Sequence, residues 1–469
     1  MRLLILLHRY LGIGIGLLIV LWCLSGFVMM YVQYPSESHA EQLLTLDRLD
    51  WDDCCLLPGH WAGDMFLDAA EVESLLGKPT LRLTRPGGGF LLADLSAGRV
   101  LGGMTEASAQ AVAESYAARA EESFRSLGQL ERDQWTVQSG YDPHRPLYFF
   151  ALNDGAATEW YVSSTTGQVV LETGGRERFW NWLGSVVHWL YPTELRRHVG
   201  AWSQVVIWTS LVGVFLTLTG IYIGITRYRF GSDQRGSPYR GWFLWHHYLG
   251  LVFGILSLTW VVSGLLSMNP FGVLQGRSFS DEQNNVAGHR LTYEDVAAAL
   301  DSLDPDVLPD NTVRLSASTF AGEFAWMAWT ARGGVQRVGQ GGPLDSGKLT
   351  DHAPAIRPEA TIDSMGSLEA ADAYYYGHHE SRTFPVFRII YTDGDRLYLD
   401  ESSGQLLQAI DGNRRWSRWL FHGLHRGDFA AWARQRPLWD FFMLLLLAGV
   451  TVGSITGVYL GYQRVTGRE

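Results

Sequence analysis

Four histidines lie near the ends of long apolar stretches, where an imidazole could bind a metal. His8 and His246 lie near the start of two such stretches, and His188 and His425 come shortly before two others. Ligating side chains are costly in a membrane and usually have a function there. Neutral imidazole is a common metal ligand. These residue types and positions therefore predict a metal or cofactor site near the ends of helices.

An internal repeat sorts the four histidines into two pairs. Two stretches share an offset of 238 residues (246 − 8 and 263 − 25), and two others share an offset of 237 (456 − 219 and 425 − 188). Two units with the same orientation predict a pseudo-two-fold axis along the membrane normal. The matching stretches are 8–12 with 246–250, 25–26 with 263–264, 219–224 with 456–461, and His188 with His425.

Such an axis would bring His8 next to His246 and His188 next to His425. Two imidazoles that face each other could supply both axial ligands of a planar macrocycle, which is the bis-histidine ligation of b-type haem. We therefore predict two haems b, one near each membrane face. A single histidine at a helix end is more often an interfacial residue, so the prediction depends on the pairing.

Other residues near these histidines receive a lower rank as candidates. His247 aligns with Arg9 in the repeat, His422 aligns with Ser185, and His198 aligns near Gln435, so none of them has a histidine partner. Arg9 and Arg227 could form charge-assisted pairs with haem propionates. The lower-ranked cofactor-binding candidates are His247, His422, His198, Arg9 and Arg227.

The apolar stretches are long enough to cross about 30 Å of hydrocarbon. They cover residues 3–31, 202–226, 242–268 and 438–462. Arginines in the connection after the second stretch and at both termini place these parts in the cytoplasm by the positive-inside rule. The first stretch is too long for a typical signal peptide and is interpreted as a retained anchor. The predicted location is the bacterial inner membrane, with both termini cytoplasmic and two large periplasmic domains.

The predicted fold is a membrane protein with four transmembrane helices in two tandem parallel repeats and two α+β extracytoplasmic domains. A helical stretch at 108–122 and two hairpins, at 159–170 and 396–407, indicate the α+β class. The predicted boundaries are 1–33 (first transmembrane helix), 34–180 (first outer domain), 181–228 (outer-side helix and second transmembrane helix), 229–241 (cytoplasmic loop), 242–268 (third transmembrane helix), 269–415 (second outer domain) and 416–469 (outer-side helix and fourth transmembrane helix).

Composition excludes several other classes. A net charge of -11 argues against a nucleic-acid partner, because phosphate binding needs a basic face. The three cysteines, Cys23 and the adjacent Cys54 and Cys55, form no CxxC or CxxCH motif, so iron–sulfur, zinc-ribbon and covalent haem sites are unsupported. His378 and His379 could contact a metal, but a solvated loop is the favoured interpretation.

The repeated motifs resemble those of a known family. The His-[RH]-Tyr-Leu-Gly…Ser-Gly and Thr-Gly-[IV]-Tyr-[IL]-Gly spans look like the PepSY-associated transmembrane family, and the hairpin at 398–406 is similar to the closing hairpin of PepSY domains. The resemblance covers essentially the whole chain. It implies two PepSY-like outer domains and, from the iron-regulated membrane proteins and ferric-siderophore reductases of the family, two b haems held by His8, His246, His188 and His425.

The leading hypothesis is therefore an oxidoreductase similar to ferric-siderophore reductases. Electrons from a cytoplasmic or quinol donor would reduce Fe(III) in a siderophore or other iron chelate at the periplasmic face. An alternative is a membrane-anchored PepSY binding module that regulates or inhibits a periplasmic protease, which would not need paired histidines. A transporter built from parallel repeats would need carboxylates at mid-membrane, but Asp440 lies at the edge of its span.

Overall fold

The structure is a computed structural model that describes residues 1–52, 54–231, 235–339, 342–377 and 382–467. The chain forms two compact units. We call Met1–Tyr34, Glu177–Gly276 and Asn413–Glu469 the membrane unit, and Pro35–Arg176 with Arg277–Gly412 the sheet unit. The predicted metal-contact alternative at His378 and His379 lies outside the described residues.

Both units contain helices, and the longest ones belong to the membrane unit. In chain order they are α1 (Arg2–Met29), α2 (His39–Thr45), α3 (Glu106–Ala120), α4 (Gly175–Leu183), α5 (Ser185–His188), α6 (Thr193–Arg196), α7 (Val199–Arg227), α8 (Gly241–Ser267), α9 (Ser280–Ala287), α10 (Tyr293–Asp301), α11 (Ser346–Ile356), α12 (Gly412–Ser417), α13 (Leu424–Arg426) and α14 (Leu438–Val465). A π-helical turn, Arg418–Gly423, joins α12 to α13.

The strands all belong to the sheet unit. They are β1 (Ala69–Leu75), β2 (Lys78–Thr84), β3 (Phe90–Asp94), β4 (Arg99–Leu101), β5 (Phe124–Leu130), β6 (Leu147–Leu152), β7 (Glu159–Ser163), β8 (Val169–Thr173), β9 (Thr312–Phe320), β10 (Glu323–Thr330), β11 (Val335–Val338), β12 (Ile362–Leu368), β13 (Val386–Tyr391), β14 (Arg396–Asp400) and β15 (Leu406–Ile410).

Four helices among the described residues are long and apolar enough to cross a membrane: α1, α7, α8 and α14. They confirm the four predicted spans. Helix α1 packs against α7 and α14, and α8 packs against the same two helices. Helices α1 and α8 therefore occupy opposite corners of a four-helix arrangement, which is the placement that can bring their inward-facing side chains together.

Small residues let these helices approach closely. A Cβ atom added at Gly254 of α8 would lie 2.9 Å from the Ile221 side chain of α7. One added at Gly461 of α14 would lie 3.1 Å from Ile13 of α1. Larger side chains at these two positions would push the helices apart.

The sheet unit contains one sheet to which both of its chain segments contribute. Seven strands follow the order β11-β10-β9-β1-β2-β3-β4, with neighbours antiparallel. Strand β1 pairs with β9, and Val72 lies opposite Leu315. Each segment also has a four-stranded sheet of its own, β5-β6-β7-β8 in the first and β12-β13-β14-β15 in the second. The two predicted outer domains thus meet in a common sheet.

Buried ion pairs cross the junction of β1 and β9. Glu73 accepts a hydrogen bond from Arg314 at 2.5 Å and one from Arg82 at 3.1 Å. Arg82 also pairs with Glu71. Buried charges are stable only when they are paired in this way. The two segments of the sheet unit are therefore joined by charge as well as by backbone hydrogen bonds.

The predicted local elements are present with small shifts. The helix expected at 108–122 begins at Glu106, because Thr105 and Ser108 form a capping box. It ends at Ala120, because Glu121 adopts the left-handed conformation. The second strands of the two predicted hairpins were expected to begin at residues 166 and 403. They begin three residues later, at Val169 and Leu406, because a longer turn occupies the intervening residues.

The cysteines differ in their state. Cys54 and Cys55, whose pairing the sequence leaves open, form a disulfide between adjacent residues. Cys23 is a free thiol buried in α1.

Candidate functional site

The first histidine pair lies between α1 and α8, close to the residues at which these two helices begin. His8 projects from α1 and His246 from α8, the helices at opposite corners, and their ring centres are 6.3 Å apart. The repeat predicts that these two side chains meet, and the structure brings them together.

The second pair lies where α7 and α14 begin. His188 is the last residue of α5, and His425 lies in α13, so each precedes a membrane-spanning helix by a short connection. Their ring centres are 6.0 Å apart. The four predicted ligands thus form two facing pairs, each with one member from each half of the chain.

Both separations match those of two imidazoles that share one metal. An imidazole nitrogen lies about 2 Å from the metal that it binds, and the ring centre is roughly 1 Å farther away. Two rings on opposite sides of a metal therefore have centres about 6 Å apart. The two pairs have the spacing that axial ligands of a haem require.

The Nδ1 atom of each histidine faces a backbone carbonyl and a hydroxyl group. His8 contacts the Leu216 carbonyl (3.1 Å) and the Thr219 hydroxyl (3.3 Å), and His246 contacts the Gly453 carbonyl (3.3 Å) and the Thr456 hydroxyl (3.1 Å). His188 contacts the Trp22 carbonyl (3.1 Å) and the Ser25 hydroxyl (3.1 Å). His425 contacts the Trp260 carbonyl and the Ser263 hydroxyl (3.0 Å).

These contacts assign the hydrogen of each ring. A carbonyl oxygen only accepts, so Nδ1 carries the hydrogen and donates it. Nε2 then keeps its lone pair, and Nε2 is the atom that binds a metal in such an arrangement. Partners of this kind also fix the ring orientation and increase the basicity of the ligand.

Glycines make room for the two rings of the first pair. A Cβ atom at Gly220 would lie 2.7 Å from Cε1 of His8, and one at Gly457 would lie 2.9 Å from Cε1 of His246. The repeated Thr-Gly motif therefore has two roles: threonine accepts a hydrogen bond from the imidazole, and glycine leaves space for the ring. Sequence reasoning identified this motif as part of the repeat but missed its contact with the histidines.

The repeated Ser-Gly motif has a related role in the second pair. The serine hydroxyls contact Nδ1, and Gly264 is next to the ring, because a Cβ atom there would lie 3.7 Å from Cε1 of His425. The signal for these roles was present in the sequence, since each Ser-Gly or Thr-Gly pair recurs at the offset of its histidine.

Burial keeps the second pair uncharged. It lowers the pKa of His188 to about 4 and that of His425 to about 3. Electrostatic repulsion from His188 and from Arg426 lowers the pKa of His425 further. Both imidazoles are therefore neutral near pH 7, which is the form that binds a metal.

The lower-ranked histidines have different surroundings. His247 is buried, with Nδ1 2.6 Å from the Ser237 hydroxyl and Nε2 2.8 Å from the Gly224 carbonyl, so protein groups occupy both nitrogens. His198 is exposed and receives a hydrogen bond from Arg197. Burial lowers the pKa of His422 to about 4. Among the described residues, none of the three faces another histidine as the two pairs do.

The two candidate arginines lie at the His8 end of the bundle. Arg9 follows His8 on α1 and is half-buried, whereas Arg227 is the exposed last residue of α7.

Near the second pair, the buried indole N–H of Trp22 has no hydrogen-bond partner within the described part of the chain. Buried donors are normally satisfied. A carboxylate of a bound cofactor at this level would satisfy it.

A metal held by protein side chains alone is a poorer fit. Within the described ranges, no group of three or more His, Cys, Asp or Glu side chains could hold a metal ion. A haem needs only two protein ligands, since its macrocycle supplies the others. Two facing imidazoles are therefore sufficient for a haem but insufficient for an ordinary protein-bound metal.

Comparison with known proteins identifies one family. The family model described as the PepSY-associated TM region matches residues 5–464. A search among curated proteins gave no match. The matched residues include all four paired histidines and the whole sheet unit.

Proposed function

The chain belongs to the PepSY-associated TM region family, and from this premise we propose that it is a di-haem b electron-transfer protein of the bacterial inner membrane. The observation that carries the proposal is the equivalence of the two histidine pairs. Each has the ring separation of a bis-histidine site and an Nε2 atom left free by its Nδ1 contacts.

The two pairs are separated along the membrane-spanning helices. His8 and Ser25, the partner of His188, are 17 residues apart on α1 (25 − 8), which is about 25 Å at a rise of about 1.5 Å per residue. The hydrocarbon of a bilayer is about 30 Å thick. A cofactor at each pair would thus lie near a different membrane face.

Haem at these positions would take up and release one electron at a time. The protein residues do the rest: histidines hold the iron, threonine and serine orient the rings, and the apolar helices exclude water. The proposed acceptor is Fe(III) in a siderophore or other iron chelate at the periplasmic face. Reduction to Fe(II) weakens its binding to hard oxygen ligands. The proposed donor is a cytoplasmic protein or membrane quinol.

One cavity of the sheet unit is too small to enclose an iron chelate. It is lined in part by Glu73, Arg82 and Tyr116 and has a volume of about 50 Å³. Sites for small organic ligands usually measure about 300–1,000 Å³.

The proposal also includes the finer architecture: two tandem parallel repeats, two PepSY-like periplasmic domains, and both termini in the cytoplasm.

The absorption spectrum of the protein purified in detergent tests the proposal. We expect a Soret band and, after reduction, the α-band of low-spin bis-histidine haem, with two haems per chain. Colourless protein from haem-replete cells would contradict the proposal and leave the protease-binding module as the better hypothesis.

Single substitutions test the ligand assignment. His8→Ala and His425→Ala should each remove about one haem per chain, because each leaves a single imidazole at its site. His247→Ala is the matched control and should retain both haems, since protein groups occupy both nitrogens of His247. Full haem content in the first two variants would refute the assignment.

A further inference from the structure

An excess of arginine precedes α14. Residues 412–440 contain two acidic residues, Asp428 and Asp440, and six arginines: Arg414, Arg415, Arg418, Arg426, Arg434 and Arg436. The corresponding stretch in the first half, residues 175–203, contains two glutamates and four arginines. This end of the bundle is predicted to face outward, where basic residues beside a span are disfavoured. Membrane insertion therefore does not explain the excess.

A buried carboxylate organises part of this arginine cluster. Asp428 is fully buried, and its Oδ1 lies 3.3 Å from Nη2 of Arg418 and 3.3 Å from Nε of Arg434. Arg418 also donates to the Asp428 carbonyl at 2.9 Å. One buried carboxylate thus lies between two guanidinium groups.

Two further arginines extend the cluster toward the second histidine pair. The Arg426 guanidinium lies 5.4 Å from the Phe421 ring, and Phe421 stacks on His425 at 5.2 Å. The half-exposed Arg436 guanidinium lies 3.7 Å from the Asp440 carboxylate and 5.5 Å from the Trp439 ring. The Trp439 indole donates to the Arg426 carbonyl at 2.8 Å. The Phe421 ring is therefore all that separates the positive charge of Arg426 from the predicted haem ligand His425 along this line of contacts.

The other half of the chain lacks this excess at the corresponding position. Arg197, at the offset of Arg434 (434 − 197 = 237), pairs with Glu194 at 3.2 Å. The positive charge is therefore concentrated on the side of the second repeat. A ligand recognised by charge would approach the second histidine pair from that side.

We propose that Arg426 and Arg436, beside the buried ion pairs of Asp428 with Arg418 and Arg434, form the docking site for an anionic, oxygen-rich iron chelate. This inference rests on the proposed function and specifies the charge of the acceptor. Guanidinium groups bind carboxylates and related oxyanions through two parallel hydrogen bonds. Each docking event would pass one electron from the reduced protein to Fe(III), giving Fe(II), and no bond within the chelate need break.

The same chemistry could serve the propionate groups of a haem, so the test must separate the two anions. Full-length protein with haem is reduced, and its oxidation is followed after mixing with limiting chelate. One chelate is the anion ferric-EDTA and the other a cationic ferric trihydroxamate. The test variant is Arg426→Gln with Arg436→Gln, which keeps both Arg418 and Arg434 as the partners of the buried Asp428.

We expect this variant to keep its haem and to react roughly 10-fold more slowly with the anionic chelate, but less than about 2-fold more slowly with the cationic one. In the wild-type protein, the rate with the anion should fall as salt is added, because salt screens exposed charges. Arg426→Lys with Arg436→Lys keeps the charge and should retain most of the rate. Arg197→Gln, the matched control, should change it little.

Three results would overturn the inference. Loss of haem from the glutamine variant would assign the arginines to the propionates. Equal effects on both chelates, or none on either, would remove the role of charge in docking. Absence of haem from the wild-type protein, visible before mixing, would refute the proposed function, and the inference would fail with it.

Discussion

At the scale of single residues, each candidate ligand depends on a hydroxyl group and a glycine that sequence comparison alone would treat as packing residues. The hydroxyl and a nearby carbonyl select the tautomer, and in the first pair the glycine admits the ring. Removal of either would leave the histidine in place but change how it presents Nε2.

Substitution of Gly220 tests this arrangement. Gly220→Ala would place a methyl group 2.7 Å from Cε1 of His8, so the imidazole must move away from His246. We expect loss of about one haem per chain, measured by the pyridine haemochrome assay. Gly12→Ala is the matched control, because its Cβ atom would lie 3.9 Å from the nearest side chain. A full haem complement in Gly220→Ala would show that haem binding does not require the space that Gly220 leaves beside the His8 ring.

Glu37 of the sheet unit should make stability depend on pH. Burial, with repulsion from Glu172 and Glu41, raises its pKa from 4.5 to about 8. Between these values the folded state holds a proton that the unfolded state has lost, so the free energy of unfolding falls as pH rises.

Glu37→Gln removes the ionisation and should raise the free energy of unfolding at pH 8 by up to about 4 kcal/mol, with little change at pH 4. Thermal unfolding followed by tryptophan fluorescence at both pH values measures the effect. Exposed Glu131→Gln serves as the control. An equal gain at both pH values would indicate that ionisation of Glu37 is not the cause.

At the scale of elements, helix contacts are close where a glycine meets a large side chain. The Phe253 ring of α8 occupies the space that a Cβ atom would take at Gly449 of α14. Helices α8 and α14 carry His246 and the motif that contacts it, so their packing also positions the first pair.

Gly449→Ala should therefore destabilise the bundle by about 1–3 kcal/mol, as overpacking of a core does. The melting temperature in detergent should fall by several degrees. Gly14→Ala on α1 is the matched control, because nothing lies within 4 Å of its added Cβ atom. Equal melting temperatures for the two variants would show that Phe253 can move aside without cost.

The elements also show what the sequence could predict. Length and hydropathy were sufficient for the four spans, because these are properties of each stretch by itself. The repeat predicted the two histidine pairs, because equivalent residues meet near a two-fold axis. The contacts of Thr219 and Gly220 with His8 could not be predicted, since they depend on how α1 and α7 pack together.

At the scale of the whole molecule, the sheet shared by the two segments of the sheet unit was not anticipated. The β1–β9 junction pairs Val72 with Leu315, and no local pattern specifies a partner 243 residues away (315 − 72). The buried Glu73 belongs to one segment and Arg314 to the other. Neither segment therefore completes this part of the core alone.

Glu73→Gln should destabilise the sheet unit by about 3–5 kcal/mol, because it leaves Arg82 and Arg314 buried without their shared carboxylate. Pulse proteolysis in increasing urea measures the change. Lys78→Ala, which breaks the pair between the half-exposed Lys78 and buried Asp94, should cost about 1 kcal/mol and is the control. Equal costs for the two would mean that the junction does not depend on its buried charges.

Each histidine pair takes one member from each half of the chain, and the same is true of the β1–β9 junction. A protein of half this length with the same motifs would therefore have no second imidazole to face its own. It could form such a pair only as a homodimer, with β1 of one copy beside β1 of the other. A single chain that carries both halves does not have that requirement, and its two halves can differ, as their unequal arginine content shows.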